Sequence, residues 1–124
     1  MPVVRAIFAG VVAEDLEKQR AWYETIFERV PDAAPMDGLY EWHLDENAVQ
    51  LVALSKVREI QKLPDWGARG ATSVTLIVED AESSRKAALS AGGSPVSEFA
   101  NKGFRTVTVA DPEGNLVTFL QRDA

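Results

Sequence analysis

The sequence carries one histidine, His43, and this is the side chain best suited to proton transfer near neutral pH. An imidazole on a strand is more often a packed or surface residue than a catalytic one. Its orientation depends on the turn that follows. A two-residue turn at Glu46-Asn47 pairs His43 with Gln50, whereas a shift of one residue pairs Trp42 with Gln50 instead. The sequence therefore leaves open whether Trp42 or His43 faces a cavity.

Other candidate binding residues lie in loops and strands. Trp66 belongs to a polar segment, where a large ring either covers a pocket or anchors the loop. Arg105 either binds an anionic group through its two-pronged guanidinium or is a solvated charge at a strand edge. Small hydroxyl side chains alternate along two strands and predict a polar-edged patch on one sheet face, unless threonine serves there only as a β-branched residue. They are Thr106, Thr108 and Thr118.

Composition excludes several classes of chemistry. The 124 residues contain no cysteine, which excludes thiol nucleophiles, disulfides and cysteine-ligated metals and fits a reducing cytoplasm. The formal net charge of -6, with no basic stripe, predicts no nucleic-acid partner. We expect no signal peptide, because the N-terminus lacks a basic start followed by a long apolar core. We expect no membrane partner, because no stretch approaches the ~20 apolar residues of a membrane span. One histidine and no nucleophile elbow exclude a serine-type triad, and no glycine-rich phosphate loop is present.

Hydrophobic patterning predicts alternating strands and helices. A strand over residues 3–13 runs into Asp15, a candidate N-cap for a helix over 16–30. That helix has an apolar face of Leu16, Tyr23, Ile26, Phe27 and Val30. A second helix is predicted over 81–93, ended by two glycines, and residues 55–70 form a crossover with a short helix. The other predicted strands cover 38–44, 48–54, 71–79, 94–100, 102–110 and 115–122.

The order of one strand, one helix and three strands occurs twice. A shift of 65 residues carries Asp15 to Asp80 and Phe8 to Ser73, which we interpret as an internal duplication. Between the last two strands, Asp111-Pro112-Glu113-Gly114-Asn115 suits a type I turn with Gly114 in a left-handed conformation. Such a bulged turn pairs Thr108 with Thr118.

Two motifs resemble the vicinal oxygen chelate superfamily, which includes glyoxalase I, extradiol dioxygenases and bleomycin-resistance proteins. VVAEDLEKQRAWYETIFE is similar to the family's opening strand and helix, and ADPEGNLVTFLQ is similar to its closing hairpin. The resemblance implies an α+β fold of tandem βαβββ modules, whose curved mixed sheets surround a cavity, most often in a homodimer. We expect one domain over 1–124, with modules over about 1–54 and 71–124.

The resemblance also implies where metal-dependent relatives hold a divalent ion. Those positions fall at Phe8, Gln50, Ser73 and Thr118. Phenylalanine has no donor atom, and the other three offer neutral groups that hold a transition metal poorly without an imidazole or carboxylate partner. We therefore expect no metal and no other cofactor.

These observations lead to a metal-free member of the superfamily that binds a small aromatic or amphipathic molecule. The residues expected to line its site are Phe8, Trp42, His43, Gln50, Trp66, Ser73, Thr108 and Thr118. The main alternative is a metal-independent lyase or isomerase that uses His43 as acid and base. A metal-dependent enzyme with ligands elsewhere, and a structural dimer whose cavity is filled by side chains such as Phe8, are further alternatives.

Overall fold

Two four-stranded mixed sheets, each associated with a long helix, organise the chain. The computed structural model describes residues 3–122. Its elements are β1 (Phe8–Ala13), α1 (Leu16–Phe27), β2 (Ala33–Met36), β3 (Leu39–Leu44), β4 (Asn47–Ala53), α2 (Leu54–Gln61), β5 (Ser73–Ile77), α3 (Ala81–Ser90), β6 (Ser94–Asn101), β7 (Phe104–Ala110) and β8 (Leu116–Arg122). This architecture confirms the predicted α+β fold class. No helix within residues 3–122 is both long enough and apolar enough to cross a membrane.

The two sheets have the same topology. Their strand orders are β1-β4-β3-β2 and β5-β8-β7-β6. In each, the opening strand runs parallel to the closing strand of its module, and the remaining pairs are antiparallel. The predicted shift of 65 residues relates the first residues of β1 and β5, and also the first residues of α1 and α3.

The two longer helices begin where their capping residues predict. The Asp15 carboxylate accepts a hydrogen bond from the backbone N–H of Lys18, and the Asp80 carboxylate accepts from Glu82 and Ser83. The helix predicted over 16–30 is too long, because Glu28 adopts a left-handed conformation at φ 57° and ends α1. Val30 therefore lies outside the helix and is 64% exposed, so its predicted place on the apolar face of the helix is wrong.

The observed strands differ from the predicted ones chiefly at three places. The first strand begins at Phe8, and residues 3–7 lie outside it. Residues 33–36 form the edge strand β2. The sequence does not predict this strand, because Pro35 disfavours one. An edge position tolerates proline, since one side of an edge strand has no neighbouring strand to accept its hydrogen bonds. The β3–β4 turn is at Asp45-Glu46, because Leu44 pairs with Asn47.

One core joins both halves of the chain. It combines the helix-facing side chains of both sheets, such as Val11, Leu51 and Phe119, with Trp22 and Tyr23 of α1. Each indole N–H in this core is satisfied: Trp22 donates to the carbonyl of Ala88 and Trp42 donates to that of Arg29, both at 3.0 Å. The core therefore buries aromatic area while leaving neither indole donor unpaired.

The Asp111 turn connects the two modules through a buried network. The carboxylate of Asp111 accepts hydrogen bonds from the side chains of Gln19 at 2.7 Å, Tyr23 at 2.8 Å and Asn115 at 2.8 Å. The Glu113 carboxylate accepts from the backbone N–H groups of Glu14 and Asp15, both at 2.8 Å. Gly114 has φ 95°, which confirms its predicted left-handed conformation. The turn therefore ties the end of one module to the start of α1 in the other.

Candidate functional site

Each sheet has one face packed on the core and one face pointing away from it. Because side chains alternate along a strand, the first open face consists of the β1, β3 and β4 side chains opposite to Val11, Trp42 and Leu51. The second open face consists of the β5, β7 and β8 side chains opposite to Val107 and Phe119. These faces hold most of the predicted binding residues.

The first open face is organised in three rows of paired residues. Phe8, Ala48 and His43 form one row, Gly10, Gln50 and Glu41 the next, and Val12, Val52 and Leu39 the third. The middle row and His43 are polar and the flanking positions are apolar. This mixture is typical of a small-molecule site, where a few polar groups orient a ligand held by apolar contacts.

A carboxylate forms the centre of the polar group. Glu41 is 8% exposed, and its two oxygens contact the His43 Nε2 at 3.0 Å and accept from the Gln50 Nε2 at 2.8 Å. The hydrogen bonds from His43 and Gln50 lower the pKa of Glu41 below its ordinary value. The carboxylate is therefore ionised at neutral pH.

Sequence reasoning missed Glu41, although a signal was present. Glu41 and His43 are two residues apart on one strand, so they necessarily share a face. The structure places His43 on the open face with Gln50, but pairs it with Ala48 and not with Gln50. Neither predicted pairing is therefore correct, because the turn lies one residue earlier than assumed.

Trp42 does not line the open face. Its side chain is fully buried on the core side of β3, where its ring stacks on Phe27 with centroids 5.2 Å apart. The alternation that brings His43 to the open face necessarily sends Trp42 to the other one. The alternative in which Trp42 faces a cavity is corrected accordingly.

The second open face is lined with hydroxyl groups. Thr108 pairs with Thr118, as predicted, and their hydroxyl oxygens are 2.8 Å apart. Ser73 lies on the parallel neighbouring strand beside Leu116. At the far edge, the rings of Phe99 and Phe104 are 5.7 Å apart. This face therefore offers neutral hydrogen-bonding groups and an aromatic edge.

A groove runs between the two modules. It has a volume of ≈ 370 Å³ and is lined by residues such as Ala48, Asn47, Ser73 and Thr75. Ala48 and Ser73 belong to the open faces, whereas Val49, Val74 and Leu76 of the same lining lie on the core-facing sides of their strands. The groove therefore follows the boundary between the two modules.

Two other predicted residues lie apart from this arrangement. Trp66 is 47% exposed in the crossover, where the Arg58 guanidinium donates to its carbonyl at 2.7 Å. Arg105 points to the helix side and donates to Glu82 and Glu98, both at 2.9 Å. Arg105 is therefore committed to two carboxylates rather than free to bind an anion.

The four positions implied for a metal do not fit one. Phe8 has no donor atom and is 49% exposed on the open face. The Gln50 amide donates to Glu41, and the Thr118 hydroxyl is bonded to Thr108. Within residues 3–122, no group of three or more His, Asp and Glu side chains is placed to hold a metal ion.

Comparison with known proteins agrees with this architecture. The sequence model of the glyoxalase-like domain family matches residues 7–120. A glyoxalase/bleomycin resistance protein from Catenulispora acidiphila is 27% identical, with a TM-score of 0.70 over 92% of this chain and 95% of that one. No curated protein matches the chain.

Two more distant structures share the fold. A lactoylglutathione lyase from Agrobacterium tumefaciens is 17% identical, with a TM-score of 0.72 over 97% of this chain and 95% of that one. A glyoxalase-related enzyme from Fulvimarina pelagi is 17% identical, with a TM-score of 0.75 over 98% of this chain and 89% of that one. Together with the match over residues 7–120, the paired mixed sheets establish that the chain belongs to the glyoxalase-like domain family, within the vicinal oxygen chelate superfamily.

Proposed function

We propose that this protein binds a small aromatic or amphipathic molecule on its open sheet faces without a metal ion. The observation that carries the proposal is the pair of open faces, which keep polar groups at Gln50, Ser73 and Thr118 among apolar side chains but, over residues 3–122, offer no metal-ligating set. The similarity to a glyoxalase/bleomycin resistance protein supports a binding role. The whole chain acts as one domain in this proposal, and its lack of cysteine suits the cytoplasm.

The binding role is tested by nuclear magnetic resonance on the full ¹⁵N-labelled chain in the presence of EDTA. A set of aromatic and amphipathic compounds should shift the resonances of Phe8, Gln50, Ser73 or Thr118. Thr118→Val should weaken binding by about 1–2 kcal/mol, because a buried ligand group loses its hydrogen bond. Thr25→Val, on the exposed side of α1, is the matched control and should leave affinity unchanged. Shifts that appear only after a metal is added would contradict the proposal.

A homodimer is the second part of the proposal. Large apolar side chains on the two edge strands of the second sheet are strongly exposed in one chain: Ile77 60%, Val96 51% and Phe99 56%. Patches of this kind mark interaction sites, and a second copy would cover them. Sedimentation at micromolar concentration should give about twice the 13.6 kDa mass of one chain. A mass of one chain would contradict this part.

A second candidate function is metal-independent proton transfer by His43, in a lyase or isomerase reaction. The contact of its Nε2 with Glu41 at 3.0 Å favours it, because a carboxylate that holds one ring nitrogen leaves the other to act as the base. In EDTA and D₂O, the hemithioacetal of glutathione and methylglyoxal should then exchange its carbon-bound hydrogen, and His43→Gln should abolish the exchange. Exchange at the uncatalysed rate with the unaltered protein would remove this candidate.

A further inference from the structure

The Glu41 carboxylate fixes which atoms its two polar neighbours present to a ligand. The Gln50 Nε2 donates to one carboxylate oxygen, so the amide nitrogen faces Glu41. With the imidazole neutral, the His43 Nε2–H donates to the other oxygen, and the Nδ1 carries the lone pair. Among residues 3–122, no group donates a hydrogen bond to the Gln50 Oε1 or to the His43 Nδ1. The Gln50 Oε1 is also not completely buried. The group therefore offers two acceptors, and its one remaining donor is the second N–H of the Gln50 amide.

With the imidazole neutral, the charge of this group is negative, and among residues 3–122 no lysine or arginine forms an ion pair with Glu41. Within strands β1 to β4, Glu41 and His43 are the only titratable side chains on the first open face. The Arg29 guanidinium, which donates to the His43 carbonyl at 2.6 Å, also donates to Asp32 at 3.0 Å. Its charge is therefore already paired with a carboxylate.

Empty space lies beside the polar group, in the same row of the sheet. Gly10 is the β1 partner of Gln50, and a Cβ built on Gly10 would have no heavy atom within 4 Å. Phe8 and Val12 flank this gap on the same strand face. A ligand group can therefore lie against Gln50 with an apolar wall on either side.

We propose that the first open face selects a ligand with a protonated amine attached to an aromatic or aliphatic group. The ammonium hydrogens bond to the Gln50 Oε1 and the His43 Nδ1, the Glu41 charge stabilises the cation, and the apolar part lies over Gly10 between Phe8 and Val12. This inference rests on the proposed binding function and names the chemistry of its ligand. A carboxylate-bearing ligand would meet two acceptors and an anion, and it would be rejected.

Three probes that share a phenylalkyl group and differ in charge test the selectivity. They are 2-phenylethylamine, 2-phenylethanol and 3-phenylpropanoate, each titrated at neutral pH into the ¹⁵N-labelled full chain. The amine should bind at least about tenfold more tightly than the carboxylate, since unit charges close together in a partly buried site interact strongly. The shifts should centre on Gly10 and the Gln50 side-chain amide.

Two variants locate the effect. Glu41→Gln should reduce the preference for the amine over the carboxylate to within about twofold, as the charge is removed at constant shape. Gly10→Val, which places a side chain in the empty space of a strand position, should abolish binding of all three probes. Glu59→Gln removes a carboxylate whose side chain is 72% exposed on α2, and it should change nothing. Because Gly10→Val leaves the Glu41 carboxylate unchanged, it tests the location even if Glu41→Gln does not fold.

The possible failures are distinguishable. Equal binding of amine and carboxylate on the first open face, or amine binding confined to the second, overturns the inference and leaves the proposed binding function in place. No shift on either face with any of the three probes overturns the proposed function together with the inference.

Discussion

Replacing Asp111 by asparagine should destabilise the protein by roughly 3 kcal/mol. Asp111 is 3% exposed, and its Oδ2 accepts from Gln19, Tyr23 and Asn115. Asparagine keeps the shape but presents N–H groups to these three donors. Each hydrogen bond to a charged acceptor contributes about 1.5–3 kcal/mol. The loss of all three would therefore destabilise the protein by more than roughly 3 kcal/mol, unless one of the donors finds a new partner.

One of the three donors can recover. The Gln19 Oε1 is buried and has no hydrogen-bond partner within the described part of the chain, so a flip of the Gln19 amide lets this oxygen accept from the new asparagine. Tyr23 and Asn115 then remain as the donors that lose a charged acceptor, which gives the value of roughly 3 kcal/mol.

Chemical denaturation followed by tryptophan fluorescence measures this change. Protein concentration is kept fixed, because stability depends on concentration in a dimer. Asp65→Asn, at an exposed position in the crossover, is the matched control and should lie within about 0.5 kcal/mol of the unaltered protein. If Asp111→Asn behaves like this control, the buried network does not hold the two modules together as described.

Three further predictions concern ionisation and metal. Burial and the Asp111 charge raise the pKa of Tyr23, so the free energy of unfolding should fall as the pH rises above 10.0, where tyrosine in the unfolded chain ionises. In denaturation experiments, Tyr23→Phe should make the free energy of unfolding depend less steeply on pH in this range. Hydrogen bonds from His43 and Gln50 lower the pKa of Glu41, so the ionised carboxylate stabilises the fold above its ordinary pKa of 4.5, and this stabilisation is lost as the pH falls through the lowered pKa. The ¹³C resonance of the Glu41 carboxyl should therefore titrate below pH 4.5, and Gln50→Leu should raise the pH of the titration midpoint. Added Ni²⁺, Zn²⁺ or Mn²⁺ should not produce turnover of hemithioacetal, and metal-restored turnover would show that ligands exist outside the four expected positions.

The parts of the fold that follow from local patterning could be predicted. Asp15 and Asp80 cap helices at the predicted places, and Gly114 takes its left-handed conformation in the turn that aligns Thr108 with Thr118. These features depend on residues within a few positions of one another. Local chemistry therefore determines them.

The parts of the fold that depend on distant residues, or on exceptions to local rules, could not be predicted from the sequence. The end of α1 at Glu28 uses a left-handed residue with a side chain, which no local rule favours over a continued helix. The buried network of Asp111 includes Gln19, which is 92 positions away in the sequence. The turn motif alone therefore predicts a turn and does not predict the network. The face of His43 depends on one residue of turn register, and its partner Glu41 was overlooked although the alternation of the strand implied it.

Elemental analysis and native mass spectrometry of the same purified sample test the central claim most directly. A metal-free binding protein should contain no transition metal in stoichiometric amount, and its dimer should carry an additional organic mass that is lost on denaturation. One Ni²⁺, Zn²⁺, Mn²⁺ or Fe²⁺ per chain, with no organic mass retained, would contradict the claim.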